Sequence, residues 1–181
     1  MNGARVILAD VQDDLGHAAA GDLGPDAACY ARCDVSDEAQ VAAAIDLAVA
    51  RYGRLDVVLN NAGVSGDMAP ATLASVDLDD FDRVMAVNMA VNARAVLAGV
   101  KHAARVMVPR RGGGTIICTA STAGVIGGGG GARDRARRGG ELARSGVRVN
   151  AVSPNFIPTP LVMDAMAVWF PGRSDDERQR I

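Results

Sequence analysis

The chain has 181 residues, 49% of them apolar, and a formal net charge of −2. That is enough apolar material for one core, and the charge gives no general attraction to nucleic acid or anionic membrane. No run approaches the roughly 20 uninterrupted apolar residues that span a bilayer, and the Met1 end lacks a basic stretch leading into an apolar one. The expectation is a cytoplasmic protein with no membrane partner. Cys29, Cys33 and Cys118 are odd in number and have no metal-type spacing with His17 or His102, which predicts reduced thiols and no metal site.

Short β-branched runs alternate with longer helical patterns, the sign of βαβ units and a parallel sheet. The predicted strands are Arg5 to Ala9, Ala28 to Cys33, Leu55 to Leu59, Thr115 to Thr119 and Val147 to Val152. After the second strand, Ser36 can cap a helix with Asp37 and Glu38 in its first turn, where carboxylates complement the dipole. Val41, Ile45, Val49 and Tyr52 share one face of that helix, and Gly53 ends it. A longer helix opens near Asp77 to Asp80 and is predicted to carry Phe81, Val84, Met85, Val91, Val96 and Val100 inward. Gly112-Gly113-Gly114 separates it from the next strand.

In a doubly wound fold, cofactor contacts gather at the carboxyl ends of strands. Asp10 follows the first predicted strand, where a carboxylate can accept both adenosine ribose hydroxyls and repel a 2′-phosphate. No Arg stands among Val11, Gln12, Asp13 and Asp14, which favours NAD over NADP. An Asp after a strand is equally an ordinary helix cap. Asp34-Val35 ends the second strand, and its Asp is by itself an ordinary turn or cap residue.

Further patterns follow in order: Asn60-Asn61-Ala62-Gly63 directly after Leu55 to Leu59, then Val87-Asn88, then Thr119-Ala120-Ser121-Thr122-Ala123-Gly124. Arg148-Val149-Asn150-Ala151-Val152-Ser153-Pro154 and Ile157-Pro158-Thr159-Pro160 complete the set. Together they resemble the short-chain dehydrogenases/reductases over nearly the whole chain, and look most like the plant branch containing secoisolariciresinol dehydrogenase, momilactone A synthase and xanthoxin dehydrogenase. The resemblance implies one Rossmann-like α/β domain over residues 1–181, a doubly wound parallel sheet, and NAD-dependent exchange between a small-molecule secondary alcohol and its ketone. It also implies roles. Asp34 would hold the adenine amino group and Val35 pack on the ring. Asn60, Ala62 and Gly63 would lie along the cofactor, where Gly63 lets backbone approach the ribose. Asn88 would distort its helix and hold a relay water, and Ser121 would bind the substrate oxygen, although by itself a strand-end serine also satisfies a turn. Pro154, Ile157 and Thr159 would face the nicotinamide.

Three departures carry expectations of their own. By this resemblance Met1 to Arg5 already enters the family's second strand, so the first strand and its phosphate-binding turn are missing. Gly127 to Gly131 does not replace them, because it lacks a strand before it and an apolar helix after it. The family's Tyr-x-x-x-Lys pair is absent too: Tyr30 and Tyr52 are followed four residues later by Asp34 and Asp56, and the single lysine, Lys101, precedes Ser121. Lastly, Arg173 to Arg180 stands where the last strand and substrate-covering segment belong. The expected sheet is therefore incomplete, with its first strand, last strand and part of the active-site helix lacking. Its two halves must pair directly or stay apart, with exposed edges that favour association. Such a chain is expected to be catalytically silent. Its alternative role is a binding module that pairs with an intact relative as a homo- or hetero-oligomer. Arg133, Arg135, Arg137 and Arg138 form a basic patch without interleaved aromatics, so a nucleic-acid partner is not expected.

Overall fold

The structure, a computed structural model, describes residues 3–63, 77–121, 142–154 and 157–180. The basic patch and the glycine run lie outside the described residues, as do the positions between Ser121 and Leu142.

Five strands form two separate parallel sheets. β1 (Val6–Asp10) pairs with β2 (Ala28–Arg32) in register from Val6 opposite Ala28 to Asp10 opposite Arg32. β3 (Val57–Asn60), β4 (Gly114–Thr119) and β5 (Val147–Val152) follow in that order, with Val57 opposite Thr115 and Gly114 opposite Val147. Of the two expected outcomes, direct pairing or separation, the chain adopts separation: no ladder joins β1 to β3. The predicted strands are all present, with ends shifted by a residue or two.

Helix α1 (Asp13–Leu23) packs on β1 and β2. Its Gly16 is buried, and a Cβ there would stand 2.2 Å from the Tyr30 ring, so glycine is what allows the close approach. Helix α2 (Glu38–Tyr52) ends where expected, at Gly53 with φ 75°, a left-handed conformation that suits glycine. Its cap is Asp37, however, and not Ser36. The Asp37 carboxylate accepts the Ala39 N–H at 2.9 Å, while the backbone N–H and hydroxyl of Ser36 both donate to Asp34 Oδ1. Asp37 directly precedes Glu38, the first helical residue, so its carboxylate and not the Ser36 hydroxyl stands at the cap position.

The long helix begins as α3 (Leu78–Asn88), widens into a π-helix over Met89–Arg94 and continues as α4 (Ala95–Arg110). Val96 is buried and Val91 and Val100 are partly buried, as predicted. Phe81 and Met85 are not inward: they are 53% and 45% exposed. Among the described residues α3 packs chiefly on the π-segment that follows it, so its apolar stripe has no facing element. Beyond β5 come α5 (Pro160–Trp169) and α6 (Asp175–Arg178); α6 is capped reciprocally by Ser174 and Glu177.

The main core lies between α4 and the larger sheet. Met107, Ile116, Cys118 and Val147 are each less than 2% exposed, with Val96 and Ala103 packed among them. A second cluster, Cys33, Val41, Ile45 and Ala98, joins α2 to α4, and Leu55 and Val106 touch both clusters. Lys101–Glu38 and Arg105–Asp46, each 2.6 Å, run between the same helices. These pairs are exposed, so they set the helices' orientation more than they hold them together. All three cysteines are free thiols.

Candidate functional site

The residues singled out at strand ends lie at corresponding places: Asp10 closes β1, Asp34 stands two residues after β2, Asn60 closes β3, Ser121 stands two residues after β4 and Pro154 two after β5. Parallel strands deliver all their carboxyl ends to one rim, which is why residues so far apart in sequence can form one site. Asp10, Val35, Asn60, Asn61 and Ala62 line a single cavity of about 190 Å³ between the two sheets. Ala9, Cys33, Val58 and Leu59 complete the strand side, and α2, the π-helix and α4 close the other through Val41, Ala44, Ile45, Val91, Ala95, Val96 and Gly99.

Asp10 does one of the two jobs open to it in plain view. Its Oδ1 accepts the N–H groups of Val11 and Gln12 at 2.8 and 3.1 Å, ordering the turn into α1. Among the described residues Oδ2 makes no hydrogen bond, and Asp10 borders the cavity. Asp34 Oδ1 accepts both groups of Ser36, at 2.9 and 2.7 Å, and the Asp34 N–H donates to Gln40 Oε1 at 2.9 Å. The Ser36 hydroxyl, helped by its N–H, holds the Asp34 carboxyl below the usual carboxylate range.

Asn60 is half-buried and donates weakly from Nδ2 to Cys118 Sγ at 3.6 Å. Gly99 makes room for it, since a Cβ at that position would lie 2.0 Å from Asn60 Oδ1. Asn61 Oδ1 accepts the Thr119 hydroxyl at 2.8 Å, which ties the end of β3 to the end of β4. Gly63 stands beside Asn92 of the π-helix, whose Oδ1 would be 3.2 Å from an added Cβ. Asn88 is the last residue of α3, and the helical geometry changes to π at the next position. Ile157 and Thr159 lie before α5, with the Thr159 N–H on the Ile157 carbonyl at 2.6 Å and Thr159 as that helix's cap residue in extended conformation.

Several contributors escaped the sequence reading. Gly99 carried a usable signal, because a glycine inside a strong helical pattern marks a close approach. The cluster behind Asp10 carried none. Tyr30 Oη lies 2.8 Å from the Asp10 carbonyl and 2.7 Å from Asp13 Oδ1 and can donate to either, and Arg32 Nη1 donates to the Val11 carbonyl at 2.9 Å and to Asp13 Oδ2 at 2.6 Å. Desolvation, then the Asp13 carboxylate, pushes the Tyr30 phenol up to about 12. The hydrogen bond from Tyr30 draws Asp13 down in turn.

Among the described residues no His, Cys, Asp and Glu group could hold a metal ion, and no helix is long and apolar enough to cross a membrane.

This arrangement agrees with three kinds of likeness. A family model described as enoyl-(acyl carrier protein) reductase matches residues 1–170. Momilactone A synthase from Oryza sativa subsp. japonica is 44% identical over 176 residues, covering 92% of this chain and 62% of that protein. Secoisolariciresinol dehydrogenase from Forsythia intermedia is 39% identical over 169 residues, covering 88% of this chain and 59% of its own length. The chain thus spans about 60% of the length of these relatives. Among solved structures, levodione reductase superposes with a TM-score of 0.77 at 30% identity, covering 98% of this chain and 71% of that one. NAD+-bound xylitol dehydrogenase gives 0.78 at 27% identity, covering 95% and 68%. Parallel strands, a cavity at their carboxyl ends and these matches along residues 1–170 lead to one conclusion: the chain belongs to the short-chain dehydrogenase/reductase family of oxidoreductases.

Proposed function

We propose that this chain is the cofactor-facing part of a cytoplasmic NAD-dependent oxidoreductase whose family reaction interconverts a small-molecule secondary alcohol and its ketone, and that the chain as written does not turn over by itself. The observation that carries the reading is the convergence of Asp10 and Asn60, from separate sheets, on one cavity at the carboxyl ends of their strands. On this reading Asp10 takes the ribose hydroxyls, Asp34 and Val35 the adenine, and Pro154, Ile157 and Thr159 the carboxamide, roles that the family resemblance supports; of these, Asp10 and Val35 line the cavity. Among the described residues no glycine turn at a helix amino end borders the cavity, and these residues alone are expected to bind a dinucleotide weakly.

When bound, nicotinamide supplies the hydride acceptor. The chain's own part is to hold substrate oxygen at the Ser121 hydroxyl and to order water near Asn88. The alcohol proton then lacks a receiver. Tyr-x-x-x-Lys does not occur in the sequence, and Tyr30 cannot stand in, because it is bound to Asp13 and raised to about 12. General acid–base catalysis contributes about 10²–10⁴-fold, or about 3–5 kcal/mol of barrier.

Calorimetric titration with NAD and NADP tests the cofactor reading. Weak NAD binding is expected to exceed NADP binding, and Asp10→Asn, which keeps the cap acceptor but removes the charge, should erase the preference; tighter NADP binding by the unmodified chain would refute it. NADH formation on a panel of secondary alcohols tests the rest. Turnover within about tenfold of an intact relative, a gap of only about 1.4 kcal/mol, would overturn the silent reading. A second reading, pairing with an intact relative, is favoured by one observation: Leu78, Phe81 and Met85 on α3 are all exposed. Co-purification of the two chains would support it.

A further inference from the structure

The turn after Asp10 contains no arginine, yet the sheet brings one to it. Arg32 ends β2 directly opposite Asp10, the last residue of β1, and neighbouring strands run about 4.8 Å apart. From that position its Nη1 donates to the Val11 carbonyl at 2.9 Å and to Asp13 Oδ2 at 2.6 Å. Tyr30 Oη, 2.7 Å from Asp13 Oδ1, holds the same carboxylate by its other oxygen. A guanidinium from β2 is thus bound to the backbone of the residue that follows Asp10, in the turn whose N–H groups Asp10 itself orders.

Two features of this pair point beyond a structural tie. The side chains of Arg32 and Asp13 are 62% and 50% exposed, and an ion pair so open to water adds little stability. A cation at the amino end of α1 also opposes the helix dipole, which Asp13 and Asp14 in the first turn favour. Helix stability therefore does not call for Arg32. The second feature is spare capacity. Arginine carries five N–H donors in a rigid fork, and both of its bonds here use Nη1. Among the described residues Nε and Nη2 make no hydrogen bond, so the edge of the guanidinium that can grip a phosphate in two places is open. Its charge, however, is already balanced by Asp13.

We propose that Arg32 and Asp13 set the response of this site to a phosphate on the adenosine 2′-oxygen: Arg32 is the group that binds such a phosphate when its charge is free, and Asp13 is the specificity-determining residue that withholds it. Around the turn the carboxylates of Asp10, Asp13 and Asp14 outnumber the single guanidinium, so a phosphate meets net repulsion. Neutralising Asp13 leaves Arg32 in place with an open fork and an unbalanced charge. Discrimination then lies in the pairing of an arginine that is present and not only in the lack of one after Asp10. The placement of the ribose beside this pair rests on the reading above; the capacity of Arg32 for an anion does not.

Calorimetric titration of the whole chain with adenosine 2′,5′-bisphosphate and adenosine 5′-monophosphate tests it, since the second probe lacks only the 2′-phosphate. Asp13→Asn removes the charge and keeps an oxygen for the Tyr30 hydroxyl; Asp13→Ser repeats the test with a different neutral side chain. Each should raise affinity for the bisphosphate by about fivefold, the strong end of the range for an exposed ion pair. Affinity for the monophosphate should change by less than about twofold, because its phosphate lies across the ribose and is screened by salt. Adding Arg32→Gln to Asp13→Asn should abolish the gain, and raising salt from about 50 to about 300 mM should shrink it. Three results would each overturn the proposal: no gain in either Asp13 variant, an equal gain for both nucleotides, or a gain that survives Arg32→Gln. The ribose placement is judged apart from this, by whether Asp10→Asn weakens binding of the monophosphate. A monophosphate indifferent to Asp10 would sink that placement, while an Arg32-dependent gain for the bisphosphate would still uphold the role of the pair.

Discussion

Gly16 and Gly21 lie in the same helix, and replacing each by alanine should move stability in opposite directions. Alanine is about 1 kcal/mol better than glycine in a helix interior, so propensity alone favours both changes. Gly21 has nothing within 4 Å of an added Cβ, and Gly21→Ala should stabilise by up to that amount. At Gly16 the same atom would stand 2.2 Å from two carbons of the Tyr30 ring and 2.9 Å from a third. That ring cannot swing aside cheaply, because its hydroxyl is held at Asp13 and the Asp10 carbonyl and its edge meets His17 at 4.7 Å between centroids. Overpacking of this kind costs about 1–3 kcal/mol. Subtracting the propensity gain leaves Gly16→Ala destabilising by up to about 2 kcal/mol. For a chain of this size each kcal/mol shifts the melting midpoint by roughly 2–4 °C. Urea and thermal denaturation of the two variants under identical conditions supply the comparison. An independent readout is the Tyr30 titration, since a displaced ring regains solvent and loses Asp13, and its pKa should fall from about 12 toward the ordinary value. Shifts of the same sign for the two variants would refute the reasoning, and so would a Gly16→Ala chain whose phenol still titrates near 12.

Met107 has no exposed surface and sits at the centre of the main core, so Met107→Ala should destabilise by about 2–5 kcal/mol in denaturant titration. Tyr30 has a folded pKa raised from 10 to about 12, so its contribution is complete below pH 10 and is lost as pH rises from 10 to 12. Tyr30→Phe should flatten the stability profile across that window and leave it unchanged near neutrality, apart from a constant offset. Glu38 is lowered chiefly by Lys101 and then by His102; its contribution is present above the ordinary glutamate value and is lost as pH falls through the lower, folded one. Lys101→Met should therefore reduce acid resistance, read as a higher pH midpoint of acid unfolding.

The sequence by itself determined which segments are strands and helices, because those choices depend on local spacing: β-branched runs for β1 to β5, the buried Val41 and Ile45 of α2, and Gly53 at its end. It also determined the family, since Asn60-Asn61-Ala62-Gly63, Ser121 and Ser153-Pro154 keep their order along the chain whatever the packing. What tertiary structure decided was everything that depends on a neighbour. Whether Ser36 or Asp37 caps α2 turned on where the first helical turn begins, and the structure starts it at Glu38, directly after Asp37. Phe81 and Met85 keep a perfect inward period yet face no described element, because amphipathic spacing shows which side of a helix is apolar and not whether a partner covers it. Asp10 orders a turn with one oxygen and leaves the other at a cavity rim, a division that no reading of residue type could make. The pairing of strands is decided in the same way: β1 and β3 each carry a β-branched or apolar run, and only the tertiary structure shows that one pairs with β2 and the other with β4, with no ladder between them.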